Sequence, residues 1–239
     1  MSRREFLKTG GCGLIAILVP GSTIGQDEDG YDWEEHLYAY VVDTRKCIGC
    51  GLCVQACSRE NDVPEGFFRT WVERYTMAAN GEVEIDSPHG AMNGFDPTTT
   101  RATLSFFVPK LCNHCANTPC TQVCPVGASY STKDGVVMVD ADHCIGCGYC
   151  VQACPYGSRF LHPETHTASK CTLCYHRITK GEKPACVEIC PTGTRQFGDL
   201  KEPGSKILEL VRTERTMVLK PELLTKPTIK YIGLSKEVT

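Results

Sequence analysis

This 239-residue chain lacks the usual marks of nucleotide binding, nucleic-acid binding and membrane spanning. It has no Gly-x-Gly-x-x-Gly and no phosphate loop, so flavin and nicotinamide binding are without support. Lys and Arg number 25 against 28 Asp and Glu, a formal net charge of −3, which leaves no basic footprint for nucleic acid. Apart from Gly10 to Pro20, which is itself too short, no stretch approaches the ~20 apolar residues of a transmembrane helix. Hydrophobic residues at 41% and charged residues at 22% still give a foldable globular composition, enough for one domain or two small ones. The excess lies in cysteine, with 17 residues.

The sequence opens Ser2-Arg3-Arg4-Glu5-Phe6-Leu7-Lys8, followed by the weakly hydrophobic run. Paired arginines ahead of a short apolar segment read as a twin-arginine export signal over residues 1–25. Small residues at Gly21-Ser22-Thr23 and Gly25 would permit processing, although no Ala-x-Ala is present. Cys12 precedes the apolar run and lacks a lipoprotein context, so it is a bystander. The expected location is the periplasm or the outer face of the cytoplasmic membrane.

The other sixteen cysteines fall into four groups of four. The first is Cys47, Cys50, Cys53 and Cys57; the second is Cys112, Cys115, Cys120 and Cys124. The third is Cys144, Cys147, Cys150 and Cys154; the fourth is Cys171, Cys174, Cys186 and Cys190. Disulfides suit an exported protein, but cysteines three apart are badly placed to bridge one another. Structural zinc uses two Cys-x2-Cys pairs about 12–20 residues apart, which four thiols within eleven residues do not match. Cys-x2-Cys-x2-Cys-x3-Cys is instead the bacterial ferredoxin run, in which three thiolates hold one [4Fe–4S] cluster and the fourth ligates another. Sixteen thiolates at four per cluster make four [4Fe–4S] clusters with no open iron, hence electron carriers with no catalytic residue. Such clusters are assembled in a reducing cytoplasm and exported inside a folded protein, so the export signal and the cysteines support each other. Each oxidised cluster with its thiolates carries about −2, which brings the loaded protein near −11.

Strand formers at Tyr38 to Asp43 lead into the first group. Phe67 to Tyr75, the Asn80-Gly81 turn and Glu82 to Ile85 read as a hairpin. Thr103 to Val108 and Gly135 to Asp140 read as strands feeding the second and third groups. Lys206 to Arg212 has helical spacing, and Ile229 to Ile232 reads as a closing strand. The core is small, and ligation is part of the folding free energy.

These residues resemble the electron-transfer (beta) subunits of the dimethyl-sulfoxide-reductase-type molybdenum enzymes, nearest to the polysulfide and tetrathionate reductase branch. The resemblance is carried by Arg45-Lys46-Cys47-Ile48-Gly49-Cys50, Phe68 to Val72, Leu111 to Cys115, and Cys147 to Tyr156. Lys170 to Arg177, Pro184 to Glu188, Val218 to Glu222 and Tyr231 to Leu234 continue it, so it covers about residues 38 to 234. It implies an α+β fold of two bacterial-ferredoxin-like dicluster modules. The outer one combines 38–61 with 169–198, the inner one spans 109–168, 62–108 is a β-rich hairpin insertion, and 199–239 is a C-terminal extension. It also implies the ligand sets. Cys47, Cys50, Cys53 and Cys190 would hold one cluster, and Cys57, Cys171, Cys174 and Cys186 a second. Cys112, Cys115, Cys120 and Cys154 would hold a third, and Cys124, Cys144, Cys147 and Cys150 the fourth.

The implied partners are a catalytic molybdopterin subunit and a membrane quinone-binding anchor subunit, as in anaerobic respiration. A different reading of the same chemistry is the iron–sulfur subunit of a periplasmic hydrogenase, cytochrome nitrite reductase or other quinone-linked complex. Ser58 departs from the proline expected after the first group, which touches backbone shape and not ligation. His114, His143 and His176 lie near cysteines but are surplus as ligands, and read as hydrogen-bond donors near sulfur or partner-facing groups. Lys46, Lys110 and Lys170 precede cysteines, either as charges that raise a cluster potential or as solvated surface lysines. Trp71 and Tyr149 read as packing residues.

Overall fold

The computed structural model describes residues 31–96 and 104–238, and the export signal expected over 1–25 lies outside them. β1 (Tyr38–Asp43) is buried along its whole length, and its alternating side chains feed two cores. Tyr40 and Val42 join the main core, while Ala39 and Val41 face a second one with Ile207, Ile232 and Leu210. The main core is continuous with cysteines of several groups, among them Cys53, Cys112, Cys171 and Cys186.

α1 (Leu52–Glu60) follows the first cysteine loop and carries Cys53 and Cys57 one turn apart. β2 (Thr70–Met77) and β3 (Val83–Asp86) form the hairpin around Asn80-Gly81, with β2 starting three residues later than expected. β4 (Leu104–Leu111) pairs with β2 over eight positions, from Thr70↔Leu111 to Met77↔Leu104. β4 therefore runs past residue 108 and leads directly to Cys112, so the insertion and the inner module share one strand.

The inner region is short and repetitive. α2 (Pro119–Gln122), then β5 (Ser129–Ser131) paired with β6 (Val137–Val139), precede α3 (Tyr149–Gln152), which is followed by β7 (Arg159–Leu161) paired with β8 (Ala168–Lys170). α4 (Tyr175–Ile178) and α5 (Ala185–Glu188) lead to β9 (Arg195–Asp199), antiparallel to β1. α6 (Lys206–Thr213) packs through Ile207 on the second core. β10 (Thr216–Met217) and β11 (Ile229–Ile232) finish the four-stranded order β10-β11-β1-β9, with β11 parallel to β1. Helices and sheets are mixed as α+β.

The C-terminal segment is a strap over the second cysteine loop. Ala116 and Asn117 amides donate to the Lys226 and Thr225 carbonyls, at 2.9 and 3.0 Å, and the Thr228 amide donates to the Asn113 carbonyl at 3.0 Å. Among the described residues no helix is long and apolar enough to cross a membrane.

Candidate metal centres

Each cysteine loop lies between a strand and a short helix, and the second and fourth begin directly at the strand end, after Leu111 and Lys170. Gly51 and Gly148, with φ of +74° and +76°, cap α1 and α3 and reverse the backbone direction from the second to the third thiol of their groups. The last cysteine of three groups begins a shared turn, Cys124-Pro125-Val126-Gly127, Cys154-Pro155-Tyr156-Gly157 and Cys190-Pro191-Thr192-Gly193. After each turn a strand starts five residues beyond the cysteine, at Ser129, Arg159 and Arg195.

These turns bring distant groups together. Cys47, Cys50 and Cys53 share a hollow of about 310 Å³ with Cys190. Cys112, Cys115 and Cys120 share one of about 320 Å³ with Cys154. Cys124, Cys144, Cys147 and Cys150 line a third, of about 330 Å³. The remaining four are all buried, and Cys57 lies within the electrostatic reach of Cys171, Cys186 and Cys174. The Asn61 amide nitrogen sits 3.7 Å from both Cys57 Sγ and Cys174 Sγ. The centres run from the Cys47 centre through the Cys57 and Cys112 centres to the Cys124 centre. α1 joins the first two, Cys171 feels Cys112 between the second and third, and Cys120 and Cys150 share an apolar cluster.

Burial raises the thiol pKa of Cys47 and Cys115 to about 11 and of Cys171 to about 12, and pushes Cys57, Cys120 and Cys186 up as well. Cys124 and Cys190 shift the other way. Burial would raise them too, but hydrogen bonds hold both below the usual thiol value: backbone N–H groups of residues 126–129 at Cys124, and the Arg195, Thr192 and Thr194 amides with the Thr192 hydroxyl at Cys190. Other donors also reach sulfur: Tyr40 Oη lies 3.3 Å from Cys186 Sγ, and the Ala168 and Leu173 amides lie 3.4 Å from Cys144 Sγ and Cys171 Sγ.

Three buried cations stand among these thiols. Arg195 donates to Tyr40 Oη at 3.1 Å and Thr70 Oγ1 at 2.8 Å, and lines the hollow of the Cys47 centre. Arg159 donates to Ser129 Oγ at 2.8 Å and lines the hollow of the Cys112 centre. Lys170 donates to the Cys171 and Val137 carbonyls. Sequence reasoning missed both arginines, although their common placement in Cys-Pro-x-Gly-x-Arg was visible as a repeat. Lys170 and Lys110 are buried and so are not solvated surface lysines: Lys170 is enclosed by the second and third centres, and Lys110 pairs with Glu73 at 2.7 Å. Lys46 alone of the three is half in solvent, near Asp43.

His114 is buried, with Nδ1 accepting from the Val137 amide at 2.9 Å. Burial first, then Lys170 and Arg159, push its pKa well down, so it is neutral. His143 and His176 face carboxylates, Asp140 and Glu60, at the surface. Tyr149, expected to pack, is 57% exposed because it follows the reversed Gly148 at the rim of its loop. Trp71 is half-buried and donates from its indole to Glu73 at 2.8 Å.

An anionic iron–sulfur cluster fits these residues. Arg159 Nε and Nη1 and Arg195 Nε are buried with no hydrogen-bond partner, as are both side-chain polar atoms of Asn113. Buried cations left unpaired are costly, and a cluster with four thiolates would supply the missing negative charge. Among the described residues no group of three or more His, Cys, Asp or Glu is arranged to hold a metal ion.

Comparison with known proteins agrees with this chemistry. Two 4Fe-4S dicluster domain models match, over residues 103–200 and 46–128. The sequence is 41% identical to the B subunit of tetrathionate reductase from Salmonella typhimurium, covering 98% of this protein and 88% of that one. It is 46% identical to a protein of the same name from Archaeoglobus fulgidus, covering 83% of each. The B chain of polysulfide reductase from Wolinella succinogenes is 39% identical over 80% of this protein and 92% of its own length.

Proposed function

Because this protein belongs to the iron–sulfur electron-transfer subunits of the dimethyl-sulfoxide-reductase-type oxidoreductases, in the polysulfide and tetrathionate reductase branch, we propose that it holds four [4Fe–4S] clusters and links a molybdopterin subunit to a membrane quinone-binding subunit. The observation that carries the count is the sorting of sixteen cysteines into four sets of four, with no set short of a thiol. A bound [4Fe–4S] cluster supplies a one-electron carrier, with a potential tuned by its surroundings. The protein's own residues set its place: the thiols fix each cluster, the apolar walls keep water out, and amide, hydroxyl and guanidinium groups surround the sulfurs.

The two terminal sets differ from the inner ones in a way that supports two docking ends. Cys50 and Cys147 are the exposed members of the sixteen. Exposed Ile48 and Leu52 flank Cys50 along the chain and exposed Ile189 precedes Cys190 of the same set, while exposed Ile145 and Tyr149 flank Cys147 and exposed Val126 lines its hollow. Exposed apolar groups beside a redox centre are the kind of surface a partner subunit covers. The Ser2-Arg3-Arg4 opening supports export of the folded, loaded protein to the outer side of the membrane.

The test is metal analysis of the purified protein, where about sixteen irons and sixteen acid-labile sulfides per molecule are expected. A value close to eight of each would overturn the count. Isolation of the native complex then identifies its largest subunit, and one without molybdopterin would overturn the partner assignment.

A further inference from the structure

Three of the four cysteine groups end in the turn Cys-Pro-x-Gly, and a strand begins five residues after the cysteine in all three. That first strand residue is Arg195 after Cys190 and Arg159 after Cys154, but Ser129 after Cys124. Both arginines are buried, at 2% and 4% exposure. Each lines the hollow of the set that its own turn completes. Each also keeps guanidinium N–H capacity with no partner, Nε in Arg195 and Nε with Nη1 in Arg159. The hollow of Cys124, Cys144, Cys147 and Cys150 has no cation in its wall; beside the thiols it is lined by Ser129 and by apolar residues.

We propose that Arg195 and Arg159 are potential-setting residues, whose spare guanidinium N–H groups donate to the clusters held by Cys47, Cys50, Cys53 and Cys190 and by Cys112, Cys115, Cys120 and Cys154, and that Ser129 at the matching position leaves the cluster of Cys124, Cys144, Cys147 and Cys150 the hardest of the four to reduce. The physics is direct. Reduction adds one negative charge to a cluster, and a fixed positive charge in a poorly screened interior favours the more negative state. Arginine stays protonated in a protein interior and offers several donors in a rigid fork, so both its charge and its hydrogen bonds persist through the redox change. Lys170 lies among Cys112, Cys171 and Cys120, between the second and third centres, and adds to the same gradient. None of the three cations lines the hollow of the terminal Cys124 centre, and Arg159 reaches its wall only through the Ser129 hydroxyl, at 2.8 Å.

This inference rests on the cluster-bearing reading above, and the experiment separates the two. Full-length protein is purified as the wild type and as Arg195→Gln, Arg159→Gln, Arg195→Lys and Arg159→Lys. Iron and sulfide are counted, and each preparation is titrated redox-potentiometrically with electron paramagnetic resonance detection. Signals are assigned beforehand with one ligand exchange per centre, Cys50→Ser, Cys115→Ser and Cys147→Ser. Wild-type protein without clusters would refute the functional reading itself. With clusters present, the signal lost in Cys147→Ser should have the lowest midpoint of the four. In each Gln variant the reduced-to-oxidised ratio of the matching centre at a fixed potential should fall about tenfold, equivalent to about 59 mV for a one-electron couple. The Lys variants should shift the same signal by less. An unchanged midpoint in a cluster-complete Gln variant, or an equal shift of all four signals, would overturn the proposal. Where a Gln variant comes out short of iron, its Lys counterpart decides, a shift confined to the matching signal supporting the proposal and no shift overturning it.

Discussion

Gly51 stands at φ +74° between Cys50 and the helix that carries Cys53 and Cys57, and a Cβ there would fall 2.0 Å from the Ala91 carbonyl oxygen. Gly66 has a similar φ, +81°, with nothing within 4 Å of its would-be Cβ. Comparing the two separates backbone strain from collision. Gly66→Ala should cost about 1–2 kcal/mol, the price of a left-handed L-residue, whereas Gly51→Ala adds an overpacking cost of about 1–3 kcal/mol and should lower iron content. Denaturation midpoints of both variants check this, and equal losses would show that the carbonyl moves aside freely. The cysteines were legible in the sequence because residue type and spacing alone define a thiolate loop. Arg195 and Arg159 were not, since an arginine reads as surface until its strand is paired. Arg195 is buried by antiparallel pairing with Val42, over 150 positions away, and Arg159 by pairing with Lys170.

Among the elements, β1 and β11 lie where strand-forming residues placed them, and α6 extends one residue past the expected helix. Their hydrophobic periodicities were strong enough to stand without tertiary information. The hairpin was found through its Asn-Gly turn, but its first strand starts later because residues 67–69 lie before the pairing with β4 begins. The C-terminal extension held the largest surprise. Its hydrogen bonds go to residues 113–117, a segment that nothing local in 224–228 points to. The Thr225 hydroxyl also bonds Tyr156 Oη at 2.5 Å and lowers the Cys115 thiol against its burial, so the strap reaches a proposed ligand. Deleting residues 224–239 would remove this strap and the parallel partner of β1 together. About four of about sixteen irons should be lost, with the Cys112 centre the first to go. A truncated protein that keeps its full iron content and unfolding midpoint would show the strap to be dispensable.

On the scale of the molecule, four anionic clusters would repel one another, and the buried Arg195, Lys170 and Arg159 lie where that repulsion is worst, between or beside the first three centres. With four clusters bound, the near-neutral composition would conceal a strongly acidic protein whose positive charge is partly interior. Exposure follows the same sequence of centres. All four thiols of the Cys57 set are buried and three of the Cys112 set are, while both terminal sets present one thiol to solvent, Cys50 and Cys147. Dioxygen reaches iron where solvent does, so the isolated protein should decay in air from its two ends inward. Iron released on aeration should appear in two phases, a fast one of about half the total and a slow one from the shielded middle. A single phase would mean that the inner centres are no better protected than the outer ones. Shielding of Cys50 and Cys147 by bound subunits would then make assembly itself the antioxidant, and a copy left without its partners would be the first of the complex to rust.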